Sequence, residues 1–121
     1  MAFANNVLKH YRDYEKDSCC IGLVPCAIGG TAIKEWEKGS FLYNSMIHRT
    51  KEALAKGGVL RCILWYQGES DAIHEKSADC YQKNLEKLIH DVRSDLQQPN
   101  LLFLQVFFRL CLSIKFSLFN W

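Results

Sequence analysis

A chain of 121 residues with 15 Lys and Arg against 13 Asp and Glu has a formal charge of +2, its signs interspersed along the sequence. It offers no coherent basic face, so nucleic acid and an anionic membrane surface are excluded as expected partners. Hydrophobic residues at 49% and charged residues at 23% match a globular chain rather than a disordered one, and the length suffices for one modest domain.

Phe3, Val7, Leu8, Tyr11 and Tyr14 recur at helical intervals and predict an amphipathic opening helix. The same stretch lacks the pattern of a secretory signal, which points to the cytoplasm. Cys19 to Pro25 is short, apolar and stopped by proline, as a buried strand would be. Ala27 to Thr31 follows as a glycine-bearing turn. Ser40 is placed to cap a second helix running to about Lys56, and Gly57-Gly58 would end it by accepting the left-handed conformation. Val59 to Tyr66 is the clearest strand, its apolar residues nearly continuous as in a parallel-sheet strand covered on both faces. Tyr81, Leu85, Leu88, Ile89, Val92 and Leu96 form one helical stripe that stops before Pro99. Leu101 to Val106 reads as the next strand. This alternation predicts an α/β layered fold with a parallel sheet.

From Phe107 to Trp121 the composition changes. The stretch is rich in Phe and Leu, lacks turn chemistry, and carries only Arg109 and Lys115 as charges. Two basic residues inside a membrane span would be costly, so no membrane helix is expected. The stretch reads as an apolar tail foreign to a domain of residues 1–106.

Two loops carry the candidate chemistry, and both follow predicted strands, where open α/β sheets place their ligands. In Gly29-Gly30-Thr31, paired glycines let the backbone approach a ligand and turn N–H groups toward an anion. In Gln67-Gly68-Glu69-Ser70-Asp71, polar side chains crowd the end of an apolar strand. The Gln67 amide has two N–H donors of the kind a developing oxyanion needs. Glu69 and Asp71 could orient neighbours or bind sugar hydroxyls, while the plainer reading makes Asp71 a cap or turn former. Ser70 lacks the G-x-S-x-G elbow of a nucleophile, and His74 reads as a surface histidine near a helix start. No metal is expected at Glu69, Asp71 and His74, since no other cluster supports one. The six cysteines, at positions 19, 20, 26, 62, 80 and 111, make no C-x-x-C pair and are expected as reduced structural thiols.

Pro25-Cys26-Ala27-Ile28-Gly29-Gly30-Thr31-Ala32-Ile33-Lys34-Glu35-Trp36 and Leu64-Trp65-Tyr66-Gln67-Gly68-Glu69-Ser70-Asp71 together closely resemble the plant branch of the sialate O-acetylesterase-like carbohydrate esterases, in the SGNH hydrolase superfamily. The likeness runs from about Phe3 to Val106. It implies part of a flavodoxin-like three-layer α/β/α fold and hydrolysis of acetyl esters on sugars through a Ser-His-Asp mechanism, with no cofactor or metal. It also implies that Gly29 and Gly30 supply backbone oxyanion donors and that Gln67 stands where simpler members place an asparagine amide. Thr31, Gly68, Glu69 and Asp71 would support the site or face the substrate, an acetylated carbohydrate. The family's Gly-Gln-Ser-Asn-Met block with the nucleophile, and its later Asp and His block, have no counterpart among these residues. The chain therefore reads as a middle piece of a longer protein, with no catalytic residue of its own, and any signal peptide would lie upstream. Such a piece is expected to be inactive alone and prone to aggregate, with sheet edges and apolar surface uncovered. The competing readings are a non-catalytic carbohydrate-binding or interaction module and an inert gene-model fragment.

Overall fold

The structure, a computed structural model, describes residues 2–14, 20–73, 75–109 and 113–119. In chain order it contains helix α1 (Ala2–Tyr14), a 3-10 turn (Ile33–Trp36), helix α2 (Phe41–Ala55), strand β1 (Cys62–Trp65), a second 3-10 turn (Asp71–Ile73), helix α3 (Glu75–Asp95), and strands β2 (Leu102–Arg109) and β3 (Ser113–Phe119).

Ser40 caps α2 as expected. Its hydroxyl accepts from the Tyr43 N–H at 3.2 Å and donates to the Glu35 carbonyl at 2.7 Å, so the cap also fastens the preceding 3-10 turn. After α2, Gly57 takes φ +94°, the left-handed conformation that lets a helix end without a Cβ clash. Leu85, Leu88, Ile89, Val92 and Leu96 of the α3 stripe are all buried. Each such side chain contributes about 2 kcal/mol by leaving water. At the far end of α3 the Arg93 guanidinium donates twice to the Leu101 carbonyl, at 3.1 and 2.9 Å, and so draws the start of β2 back against the helix.

β1 and β2 pair in parallel, from Cys62 opposite Leu102 to Trp65 opposite Gln105, with α3 as their crossover. This is the βαβ unit of a partial α/β fold, as the alternation of elements predicts. Trp65, Phe103 and Gln105 are buried on one face of the pair. The apolar ones join Ile33, Trp36, Tyr43, Met46 and Ile47 and the α3 stripe in a single core. Trp36 meets Trp65 edge to face, with ring centroids 5.4 Å apart. Tyr43 adds a polar tie, donating its hydroxyl to Asp95 at 2.7 Å while Lys38 pairs with the same carboxylate.

Three expectations change. Residues 20–25, the described part of the run expected as a strand, form none. Leu23 and Val24 are 41% and 43% exposed, and the Pro25 carbonyl is taken by the Arg49 guanidinium at 2.6 Å rather than by a strand partner. An apolar run becomes a strand only where a neighbour completes its ladder, and none of the described residues does so here. The strand at Val59 to Tyr66 contracts to Cys62–Trp65, the four residues that β2 pairs. Only one of its faces is buried, because α2 and α3 both contribute to the core on the Trp65 side, and Leu64 remains 41% exposed. Finally, β2 continues past Val106 to Arg109, and residues 113–119 return beside it as an antiparallel strand, Phe103 opposite Phe119. Residues 110–112, where the chain reverses, lie outside the described residues, as do Cys19, His74 and Cys111.

Candidate functional site

The Gln67–Asp71 loop leaves the carboxyl end of β1, where its position in the sequence puts it. The Gly29–Thr31 loop does not follow a strand; it leads directly into the 3-10 turn at Ile33. Two side chains nevertheless bind the loops together. The Gln67 amide donates one N–H to the Thr31 carbonyl at 2.8 Å and the other to Asp71 Oδ2 at 2.7 Å. The same Asp71 oxygen accepts the Ile33 backbone N–H at 2.9 Å, in a buried contact. Asp71 is 4% exposed. A carboxylate in such a place is stable only when donors replace its water, and these two do so. With two acceptors facing it, the nitrogen of the Gln67 amide must point toward them; the reverse orientation would set oxygen against oxygen.

Thr31 links the first loop to the core. Its hydroxyl donates to the Ile28 carbonyl at 2.9 Å and accepts the Trp36 indole N–H at 3.0 Å. Gly29 and Gly30 stay exposed beyond it. Gly30 takes φ +75°, and a Cβ at either glycine would meet nothing within 4 Å. Their backbone is therefore open to an approaching ligand. Glu69 is also exposed, with its carboxylate paired to the Tyr66 hydroxyl.

Beneath the second loop lies a polar group that the residue pattern of the sequence does not mark as part of a site. The Tyr81 hydroxyl donates to the Gln67 carbonyl at 2.8 Å and accepts from the Trp65 indole at 3.3 Å and the Gln105 amide at 3.4 Å. Burial pushes the Tyr81 phenol above its ordinary value of 10.0, and the nearby Asp71 and Glu69 carboxylates push the same way. Gly68 sits beside this ring with φ +140°, and an added Cβ would lie 3.5 Å from Cζ and from the hydroxyl oxygen. Tyr81 was legible only as one member of an apolar helical stripe. The signal for Gln105 was its being the lone polar residue in the Leu101 to Val106 run, at a position facing the core.

Gln67 thus links Thr31 to Asp71, Gly68 lies in the turn between Gln67 and Asp71, and Gly29, Gly30 and Glu69 form the exposed rim. The Gln67 donors are both engaged inside the protein. For Gln67 to reach a ligand oxygen, one of them must be released. The contact to the neutral Thr31 carbonyl is the weaker of the two, since the other is charge-assisted.

Comparison with known proteins bears on the chain as a whole. A family model described as carbohydrate esterase, sialic acid-specific acetylesterase, matches residues 1–113. A protein of Arabidopsis thaliana named as a probable carbohydrate esterase is 52% identical over 106 residues, which are 88% of this chain and 40% of that protein. The X-ray structure of the Arabidopsis thaliana protein with the same locus name, at 1.6 Å resolution, superposes with a TM-score of 0.77 at 48% identity. It covers 84% of this chain and 41% of the other. The chain spans about two fifths of the length of the curated relative it matches. On its sequence and on its fold, this chain belongs to the sialic acid-specific acetylesterase family of carbohydrate esterases.

Proposed function

We propose that the loops at Gly29–Thr31 and Gln67–Asp71 are the oxyanion-stabilising side of a serine-type carbohydrate O-acetylesterase site. The nucleophilic serine and its Asp and His partners would be supplied by sequence outside these 121 residues. The observation that carries this reading is the 2.8 Å bond from the Gln67 amide to the Thr31 carbonyl, which sets an amide donor beside an open Gly-Gly backbone. In the reaction, a serine oxygen attacks the acetyl carbonyl while a histidine takes its proton. Negative charge develops on the carbonyl oxygen before the sugar hydroxyl leaves. The Gly29 and Gly30 N–H groups and the Gln67 amide, released from Thr31, would meet that charge. One such donor contributes about 3 kcal/mol to the transition state. Glu69, exposed at the rim, would face the sugar hydroxyls.

On this reading the isolated chain hydrolyses p-nitrophenyl acetate only at the background rate. Turnover above background that Ser70→Ala abolishes would make Ser70 the nucleophile and overturn the proposal. A chimera gives the positive test, with this chain's residues replacing the 106 matching residues of the Arabidopsis relative. If the relative hydrolyses acetyl esters, the chimera should do so too, and Gln67→Leu within it should lower kcat about 100-fold or more. An unchanged kcat would remove Gln67 from the oxyanion role.

A further inference from the structure

The Tyr81 hydroxyl joins three buried or half-buried groups from three different elements, and one of them is the backbone of the candidate site. Gln105 makes the arrangement costly. It is 2% exposed, its amide nitrogen reaches Tyr81 at a long 3.4 Å, and its Oε1 has no partner among the described residues. An unpaired buried carbonyl costs about 1–3 kcal/mol, so a leucine or methionine would serve the core better at this point of β2. The Trp65 indole approaches the same hydroxyl from the neighbouring strand at 3.3 Å. With two donors directed at its oxygen, the hydroxyl has one way left to direct its own proton, and that is toward the Gln67 carbonyl at 2.8 Å. The Tyr81 ring lies on the side where a side chain at Gly68 would stand, an added Cβ there meeting it at 3.5 Å with φ +140°.

We propose that Tyr81 is a positioning residue for the Gln67–Gly68 turn, with Trp65 and Gln105 orienting its hydroxyl. Gln67 is held at both ends. Its side-chain nitrogen is fixed by Thr31 and Asp71, and its main-chain carbonyl by Tyr81. The Asp71–Ile33 and Gln67–Thr31 contacts join the loops to each other, whereas the Tyr81 contact fixes the pair against the sheet and α3. The value of this for the site rests on the esterase reading above; the positioning itself does not.

Tyr81→Phe in the full chain is the direct test, because it keeps the ring under Gly68 and removes only the hydroxyl. With 15N labelling, exchange of the Gln67 side-chain N–H with solvent should rise about fivefold to tenfold, the worth of one lost hydrogen bond. The Trp65 indole N–H resonance should move, while the Leu88 and Val92 backbone amides keep their protection. Gln105→Met, which fills the same space without an amide, should raise Gln67 exchange in the same direction by a smaller factor. Unchanged Gln67 exchange in Tyr81→Phe overturns the proposal. So does equal loss of protection at Leu88 and Val92 in both variants, which would make the cluster ordinary core packing. Titrating the wild-type chain with sodium acetate separates the two claims. If acetate leaves the Gln67 side-chain resonances in place while Tyr81→Phe changes their exchange as expected, positioning is upheld and only the oxyanion role is lost.

Discussion

The two loops of the site are held by different means. Between Trp65 and Asp71 the chain is fixed from below by side chains of the core: Tyr81 grips the Gln67 carbonyl, Asp71 is buried, and Trp65 packs on Trp36. Between Ile28 and Ala32 there is little of that kind. Gly29 and Gly30 are exposed with open space around them, and the stretch is secured by Thr31 and by bonds running to the other loop. One loop is a frame and the other hangs on it. A site that must let a ligand approach its backbone needs one open wall, and a rigid opposite wall supplies the geometry that the open one lacks.

The strongest way to break this comparison is to cut the connection. Asp71→Ala removes the acceptor of both the Ile33 N–H and the Gln67 amide and leaves two donors without their partner. The expected loss is about 3 kcal/mol in urea unfolding followed by circular dichroism. A loss below about 1 kcal/mol would mean that Asp71 is not what holds the first loop to the second. Smaller effects should separate the two glycines. Gly68→Ala forces a side chain into φ +140° above the Tyr81 ring, and the expected cost is about 2 kcal/mol. Gly30→Ala meets only the φ +75° penalty, with no atom in the way, at about 1 kcal/mol. Equal costs would show that the frame is no more rigid than the loop it carries.

How much of this the sequence disclosed depends on the range of each interaction. Ser40, Gly57 and the α3 stripe were readable because caps, C-terminal glycines and helical periodicity act within a few residues. The Trp65 to Asp71 element was readable as a site because polar residues crowding the end of an apolar strand have few structural reasons to be there. The run from Cys19 to Pro25 misled because its apolar content fits a strand, whereas strand formation depends on a partner that composition does not reveal. β3 was missed for a related reason: a Phe- and Leu-rich stretch without turn residues gives no local sign of pairing back onto β2. Tyr81 and Gln105 stand 24 positions apart, and their bond exists only after α3 has crossed over the sheet. Asp71 was seen as a residue that orients neighbours, binds substrate or forms a turn, and it does hold its neighbour Gln67. The other partner of Asp71, the backbone N–H of Ile33, lies 38 residues away and is invisible to any reading of side-chain chemistry.

The mildest test of the frame uses alkali. A phenol whose value is raised in the folded state prefers to stay neutral there. The stability it contributes is fully present below the ordinary value of 10.0 and is lost as pH rises through the higher folded value. Tyr81 follows this pattern, chiefly through burial. Tyr43 follows it more strongly, through burial and then the Asp95 carboxylate that accepts its proton. The Cys26 and Cys62 thiols, pushed up from 9.0 mainly by burial, add an earlier decline of their own. The total slope therefore does not isolate the loop, but the difference between wild type and Tyr81→Phe does. Urea midpoints compared from about pH 8 to about pH 11 should fall more steeply in the wild type above about pH 10, where only the wild type has a phenol at this position to ionise. Tyr81→Phe should start lower at neutral pH, having lost the bond to Gln67, and the two curves should converge as pH rises. Parallel curves would show that the Tyr81 proton is not held by the loop, and the contrast between frame and hanging loop would then rest on buried Asp71 and on the packing of Trp65 against Trp36.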